Sequence, residues 1–126
     1  MHNNKYSKNE LSLFRKKVSE WLGINTPKDP GFMLPQTFME IGSEEVLNFL
    51  REWQFKLWSS GFLGMSWPSE FGGQGLPPIF QKIADEEMKK KKVPICFNVI
   101  GLGWAGPLII DIGTKEEKKK YLKGIL

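Results

Sequence analysis

The sequence predicts an all-α domain, a five- or six-helix bundle in orthogonal or up-down arrangement. Three observations carry that expectation. Apolar residues recur at helical spacing in several separate segments, capping residues and glycine or proline stops frame those segments, and no stretch alternates convincingly as a strand does. Residues 1–8 read as a flexible tail, and residues 9–126 as one domain long enough to bury a core.

Leu11, Phe14, Val18 and Trp21 or Leu22 form the buried stripe of a first helix, with Gly23 as its stop. From Ile24 to Gly42, prolines at 27, 30 and 35 and glycines at 31 and 42 make a long connection. The pairs Phe32/Met33 and Phe38/Met39 are expected to pack it down. Ser43 is a good N-cap, with Glu44 and Glu45 in the electropositive first turn. Val46, Leu50, Trp53 and Leu57 follow as the buried face of a second helix, closed by Gly61.

No period fits Gly61 to Gly75, whose glycines at 61, 64, 72, 73 and 75 permit tight turns. Pro77 and Pro78 open a third helix with Phe80, Ile83, Ala84 and Met88 inward and a lysine run at its end. The central segment Val93–Gly113 is expected to be helical from Pro94, to break or kink near Gly106-Pro107, and to stop at Gly113. Thr114-x-x-Glu117 is a capping box, and the helix after it carries Tyr121, Leu122 and Ile125 on one face.

Val93 to Ile110 contain no charge, while lysines crowd both flanks. A segment apolar on every side belongs in a core or a membrane. A transmembrane span is disfavoured by Asn98, Pro107 and the glycines at 101, 103 and 106, which would leave backbone groups exposed to lipid. Gly101-x-Gly103-x-x-Gly106 matches a dinucleotide-binding pattern, but Pro107 follows at once and the acidic residue required about 20 positions later is missing. A buried helix is the reading that remains.

Hydrophobic residues make up 40% and aromatics 13%, which excludes a disordered chain. The first ten residues are polar with no apolar run behind them, so no secretory leader is expected, and the single cysteine, Cys96, fits a reducing, cytoplasmic setting as a buried thiol. The net charge of +4 comes mostly from Lys89–Lys92 and the lysines between 115 and 123, near helix ends where a solvated surface explains them. No nucleic-acid-binding pattern accompanies the charge.

The usual catalytic constellations are absent. His2 is the only histidine and lies in the tail, so no triad, Cys-His pair or metal site is expected. Glu44/Glu45, Asp85/Glu86/Glu87 and Glu116/Glu117 are adjacent carboxylates that point in different directions on a helix and read as surface or capping groups. Asn98 reads first as a satisfied buried amide, and alternatively as a side chain lining a cavity beside a ligand.

Gly61-Phe-Leu-Gly64, then Trp67-Pro68-x-Glu70-Phe71-Gly72-Gly73-x-Gly75, then a helix with Glu86-Glu87, occur in an order that resembles acyl-CoA dehydrogenases. Asn98-Val-Ile-Gly101, the Gly106-Pro107 break and the run from Gly113 to Leu122 complete the resemblance to the N-terminal helical domain of that family. It is strong from Gly61 to Leu126 and faint before Ser43. Glu117 and Lys123 depart from the family's usual glutamine and proline, and neither change touches chemistry.

The resemblance implies the front part of an enzyme whose later β-domain holds much of an FAD and whose C-terminal bundle supplies the catalytic glutamate. It implies α,β-dehydrogenation of an acyl-CoA thioester, an electron-transfer partner, and a homo- or hetero-oligomer without a membrane span or nucleic acid. No residue of this chain is expected to be the catalytic base or a metal ligand. Phe97, Asn98 and Gly101 are expected to bind substrate as part of the acyl-cavity wall. The alternative is a stand-alone helical binding or assembly module with a separate partner chain.

Overall fold

The computed structural model describes residues 6–98 and 101–126. Five α-helices follow one another as α1 (Lys8–Asn25), α2 (Glu44–Ser59), α3 (Pro78–Lys91), α4 (Gly106–Ile112) and α5 (Lys115–Ile125), with no strand among the described residues. The all-α expectation holds.

The chain is ordered earlier than the tail reading supposed. Ser7 accepts from the Glu10 N–H at 3.2 Å while Glu10 accepts from the Ser7 N–H at 2.6 Å, so a capping box starts α1 at Lys8. Tyr6 packs edge-on against Phe80 with centroids 4.8 Å apart. Residues 1–5 of the expected tail lie outside the described residues. At the other end, Gly23 does not stop α1, which runs on to Asn25 because Thr26 provides the C-cap.

Val18 and Leu22 of α1, Leu50, Trp53 and Leu57 of α2 and Phe80, Ile83, Ala84 and Met88 of α3 are all buried, as their spacing predicts. Burying each large side chain stabilises by about 1.5–3 kcal/mol. In the 26–42 connection only Phe32 of the expected anchors packs, its ring 5.3 Å from that of Phe49. Met33 and Met39 are largely exposed, and Phe38 sits in a single 3₁₀ turn at Phe38–Glu40 with its ring partly in water.

Caps fix the remaining ends. Ser43 accepts from the Val46 N–H at 3.3 Å. Beyond α2, the Gly61 N–H reaches the Trp58 carbonyl and the Phe62 N–H the Leu57 carbonyl, both at 3.0 Å, with Gly61 at φ +87°. That pair of bonds needs a left-handed residue, which glycine adopts without penalty. The same pattern ends α3, but there the left-handed residue is Lys92, at φ +50°. The Thr114–Glu117 capping box forms as expected. Tyr121 departs from the expected buried face of α5 and is exposed, whereas Leu122 is fully buried.

The central segment differs most from expectation. Pro94 to Asn98 are not helical, and Val99 and Ile100 lie outside the described residues. A π-helical turn occupies Gly101–Ala105 and runs straight into α4, so Gly106-Pro107 starts the α-helix and breaks nothing. Pro107, in the first turn of α4, has no N–H to lose there, which is why it is accommodated. Nor is the segment buried all round, because Trp104, Leu108 and Ile112 point outward with 74%, 57% and 71% of their surface exposed.

Two apolar clusters result. One joins α1, α2 and α3 to Phe62, Leu63 and Met65; the other gathers Trp67, Phe71 and Leu122 with Ile109, Ile110 and Ile125 around them. Leu102 and Leu126 touch both.

Candidate functional site

The glycine-rich loop between α2 and α3 forms the floor of a cavity. Gln81 of α3 stitches it in place, donating to the Phe62 carbonyl at 3.0 Å and accepting from the Met65 N–H at 3.1 Å. The Trp67 carbonyl accepts from the Gly75 N–H at 2.8 Å. A Cβ on Gly73 would stand 2.1 Å from that Trp67 oxygen, and one on Gly106 would stand 2.3 Å from the Trp67 ring. Trp67 is therefore wedged between two positions where only glycine fits.

Leu63, Gly64, Ser66 and Trp67 from the loop, Gln81 and Asp85 from α3, and Cys96, Leu102 and Gly103 from the central segment enclose about 310 Å³. Most of this lining is apolar, and its size suits an aliphatic or ring group. Asp85 stands at the rim. Desolvation raises its carboxyl from the ordinary value, and the hydrogen bond from Gln81 Nε2 at 2.9 Å opposes the rise. Burial, with the Asp85 charge adding to it, pushes the Cys96 thiol up to about 11, so it stays protonated at neutral pH. The sequence reading of Cys96 as an inert thiol fits this geometry.

Phe97, Asn98 and Gly101, the three residues expected at an acyl-cavity wall, lie next in sequence to residues that line this cavity. Asn98 donates through Nδ2 to the Ile125 carbonyl at 3.1 Å and accepts from the Gly101 N–H at 3.2 Å, the satisfied amide of the first reading. A Cβ on Gly101 would meet the Asn98 amide at 2.6 Å, so Gly101 leaves room for that amide. Phe97 has the Arg51 guanidinium 6.0 Å from its ring centroid. None of the three lines the cavity, although their neighbours Cys96, Leu102 and Gly103 do. Gln81 went unread in the sequence and Asp85 was read only as a surface or capping carboxylate; their i, i+4 spacing on one predicted helix was the signal that could have paired them.

Glu86 and Glu87 do not diverge as adjacent helical residues were expected to. Both reach one guanidinium, Arg15 Nη2 to Glu86 at 2.7 Å and Arg15 Nη1 to Glu87 at 3.0 Å, and Lys90 adds a contact to Glu87 at 3.1 Å. The Arg15 hydrogen bonds hold both carboxyls below the usual range. They tie α3 to α1. No group of three or more His, Cys, Asp and Glu able to hold a metal occurs among the described residues.

The glycines offer no dinucleotide cradle either. Leu126 fills the space above Gly64 and Gly72, the Trp67 residue that above Gly73 and Gly106, and the Asn98 amide that above Gly101. A pyrophosphate needs open backbone N–H groups at such positions, so these five glycines do not form its cradle, although Gly75 and Gly103 have nothing within 4 Å of an added Cβ. No described helix is long and apolar enough to cross a membrane.

Against known proteins, residues 33–126 match the family model for the acyl-CoA dehydrogenase N-terminal domain. The acyl-CoA dehydrogenase IpdE1 of Mycolicibacterium smegmatis is 32% identical over 118 residues, covering 93% of this chain and 30% of that protein. FadE29 of Mycobacterium tuberculosis, also an acyl-CoA dehydrogenase, is 41% identical over 66 residues, covering 52% of this chain and 16% of its own length. A solved structure described as the Tcur3481-Tcur3483 steroid ACAD superposes with a TM-score of 0.70 at 30% identity, over 95% of this chain and 29% of that one. The ChsE4-ChsE5 complex of M. tuberculosis shares the fold, with a TM-score of 0.67 at 22% identity over 98% of this chain and 29% of its own. The chain thus spans about 30% of the length of the first curated relative it matches.

Proposed function

The chain belongs to the acyl-CoA dehydrogenase family by its N-terminal domain, and from that premise we propose that it is the front part of an enzyme oxidising acyl-CoA thioesters between Cα and Cβ. FAD, held by other segments of the complete enzyme, supplies the two-electron acceptor for that oxidation. The contribution of this chain is one wall of the acyl cavity. The observation that carries the reading is the apolar cavity placed where the family-matching loop, α3 and the central segment meet.

Cys96, Leu102 and Gly103 present the face of the central segment to the acyl group. Asn98 and Gly101 set the position of that segment from behind. The catalytic base lies elsewhere. Asp85 is the carboxylate at the cavity, and it already accepts from Gln81; Glu86 and Glu87 are tied to Arg15.

The word steroid in the name of the Tcur3481-Tcur3483 steroid ACAD supports a bulky polycyclic substrate, and its two-component name supports a hetero-oligomer. The test is anaerobic addition of acyl-CoA to the complete polypeptide. It is expected to be yellow and to bleach, faster with a steroid-side-chain thioester than with a straight chain, while residues 1–126 alone stay colourless. A colourless complete polypeptide, or bleaching by the 126 residues alone, overturns the reading.

A stand-alone binding module is the second reading, and the outward stripe of Trp104, Leu108 and Ile112 favours it. Under that reading the native polypeptide has a mass near 14.5 kDa in its source cell; under the first it is several times heavier.

A further inference from the structure

Three polar side chains, Ser66, Gln81 and Asp85, interrupt the apolar lining of the cavity, and all three also line a wider hollow of about 510 Å³ beside it. Asp85 therefore stands on the ridge between the two, exposed and open to a ligand that fills the apolar side. The Gln81 amide beside it has one orientation. Its Oε1 accepts from the Met65 N–H at 3.1 Å, and its Nε2 donates to the Phe62 carbonyl at 3.0 Å and to Asp85 Oδ1 at 2.9 Å. Turning the amide over would set donor against donor at Met65 and acceptor against acceptor at the other two contacts. Asp85 Oδ1 is thus committed as an acceptor. Its Oδ2 has no hydrogen-bond or ion-pair partner among the described residues. Lys82 and Lys89 stand at i−3 and i+4 from Asp85, the spacings at which a helix pairs opposite charges, yet neither forms an ion pair with it.

We propose that Asp85 is a specificity-determining residue of this cavity, its Oδ2 accepting a hydrogen bond from a hydroxyl group on the ring or chain that fills it. The inference rests on the acyl-cavity reading and narrows its substrate class to an acyl group that carries an alcohol, not a ketone, where it meets α3. A carboxylate oxygen and a ketone oxygen are both acceptors and repel, whereas an alcohol donates. A hydrogen bond to an ionised acceptor is roughly twice as strong as a neutral one, so the preference should be about tenfold or more. Asp85→Asn separates recognition from a structural role. The Gln81 bond still demands an oxygen at the Oδ1 position, which turns the new NH₂ group to where Oδ2 was. That donor serves a ketone as well as an alcohol, so the preference disappears with almost no change of shape.

The test is an NMR titration of residues 1–126 with trans-β-decalol and trans-β-decalone, a fused-ring alcohol and its ketone. The Trp67 indole and the methyl groups of Leu63 and Leu102 report occupation of the cavity. The expected result is shifts at these three residues, alcohol binding about tenfold tighter than ketone binding, and in Asp85→Asn a ratio near one, reached by tighter binding of the ketone. The urea midpoint of the variant reports its fold. Equal affinities in the unsubstituted chain, shifts confined to other residues, or no binding of either compound each overturn the proposal without any variant. An undiminished alcohol preference in folded Asp85→Asn overturns it as well. Failure of acyl-CoA to bleach the complete polypeptide would remove the enzymatic reading and leave the alcohol preference standing, whereas bleaching alongside equal affinities removes this proposal alone.

Discussion

Replacing Gly106 with alanine tests the packing around Trp67 most directly. The added Cβ would lie 2.3 and 2.4 Å from two atoms of the Trp67 ring and 2.6 Å from the Gly101 carbonyl, about 1 Å inside ordinary contact at about 3.5 Å. The ring cannot swing away freely, because the Trp67 backbone is held against Gly73 and its carbonyl is bonded to Gly75. Overpacking costs about 1–3 kcal/mol, and this site belongs at the upper end since neither neighbour is a flexible side-chain tip. Alanine recovers about 1 kcal/mol of helix propensity, leaving a net loss of about 2 kcal/mol. With a urea slope of about 1.5 kcal/mol/M, the unfolding midpoint should fall by about 1 M. Gly23→Ala is the internal control: Gly23 lies inside α1 with nothing within 4 Å, so the same substitution should raise the midpoint by about 0.5 M. If Gly106→Ala unfolds at or above the wild-type midpoint while Gly23→Ala behaves as expected, Trp67 is not wedged and the cavity floor is described wrongly.

Four further outcomes follow from the same geometry. Lys92→Gly should stabilise by about 1 kcal/mol, seen as a higher thermal midpoint, because φ +50° strains a side-chain-bearing residue; an unchanged midpoint would mean that Lys92 carries no strain. Glu87 has its folded pKa depressed below 4.5, chiefly by the Arg15 hydrogen bond, so its contribution is present above pH 4.5 and lost as pH falls through the lower folded value. Glu87→Gln should therefore cost stability at pH 7 and progressively less toward pH 3, and a deficit that is constant across that range refutes the assignment. Cys96, with its thiol near 11, should react with a thiol reagent at pH 8 on the order of 100-fold more slowly in the folded chain than in urea; equal rates would show an open thiol. Trp104→Ser with Leu108→Ser should shift stability by less than about 0.5 kcal/mol and reduce self-association of residues 1–126 in sedimentation, whereas unfolding would place these side chains in the core.

Local signals were legible where a single residue decides the geometry. Ser43 and Thr114 cap their helices because a hydroxyl can reach the third N–H of the first turn, and that reach is a sequence distance. The stripes of α1, α2 and α3 were legible for the same reason, since burial of one helix face repeats at fixed spacing. The order of the loop motif, the Glu86-Glu87 pair and the Gly113–Leu122 run placed the chain in its family. The cavity was not legible. Its lining comes from three segments, and Gln81 earns its place by bonding to Phe62 and Met65, a choice visible only once the loop has folded. Ser7 was passed over as tail although Glu10 stands three residues on, so that capping box was readable and missed. The π-helical turn at Gly101–Ala105 had no sequence signal of its own beyond its glycines.

Hydropathy could not say whether the central segment meets this chain's own core or another surface, and the structure divides it between the two. Ile109 and Ile110 pack inward with Leu122 and Trp67, while Trp104, Leu108 and Ile112, each four residues apart, run along the opposite side. Four residues advance a helix by slightly more than one turn, so the three make one outward stripe and not scattered exposures. An apolar stripe in water is unfavourable by about 25 cal/mol for each Å² left uncovered, and covering it stabilises whichever fold provides the cover. Around α1 and its contact with α3 the backbone ends are capped and the Arg15–Glu86–Glu87 network is closed, while Thr26 Oγ1 at the C-cap is buried without a partner among the described residues. Whatever binds the α4 and α5 side should therefore raise the unfolding midpoint of this domain in proportion to its occupancy, and should do so by stabilising the second apolar cluster before the first.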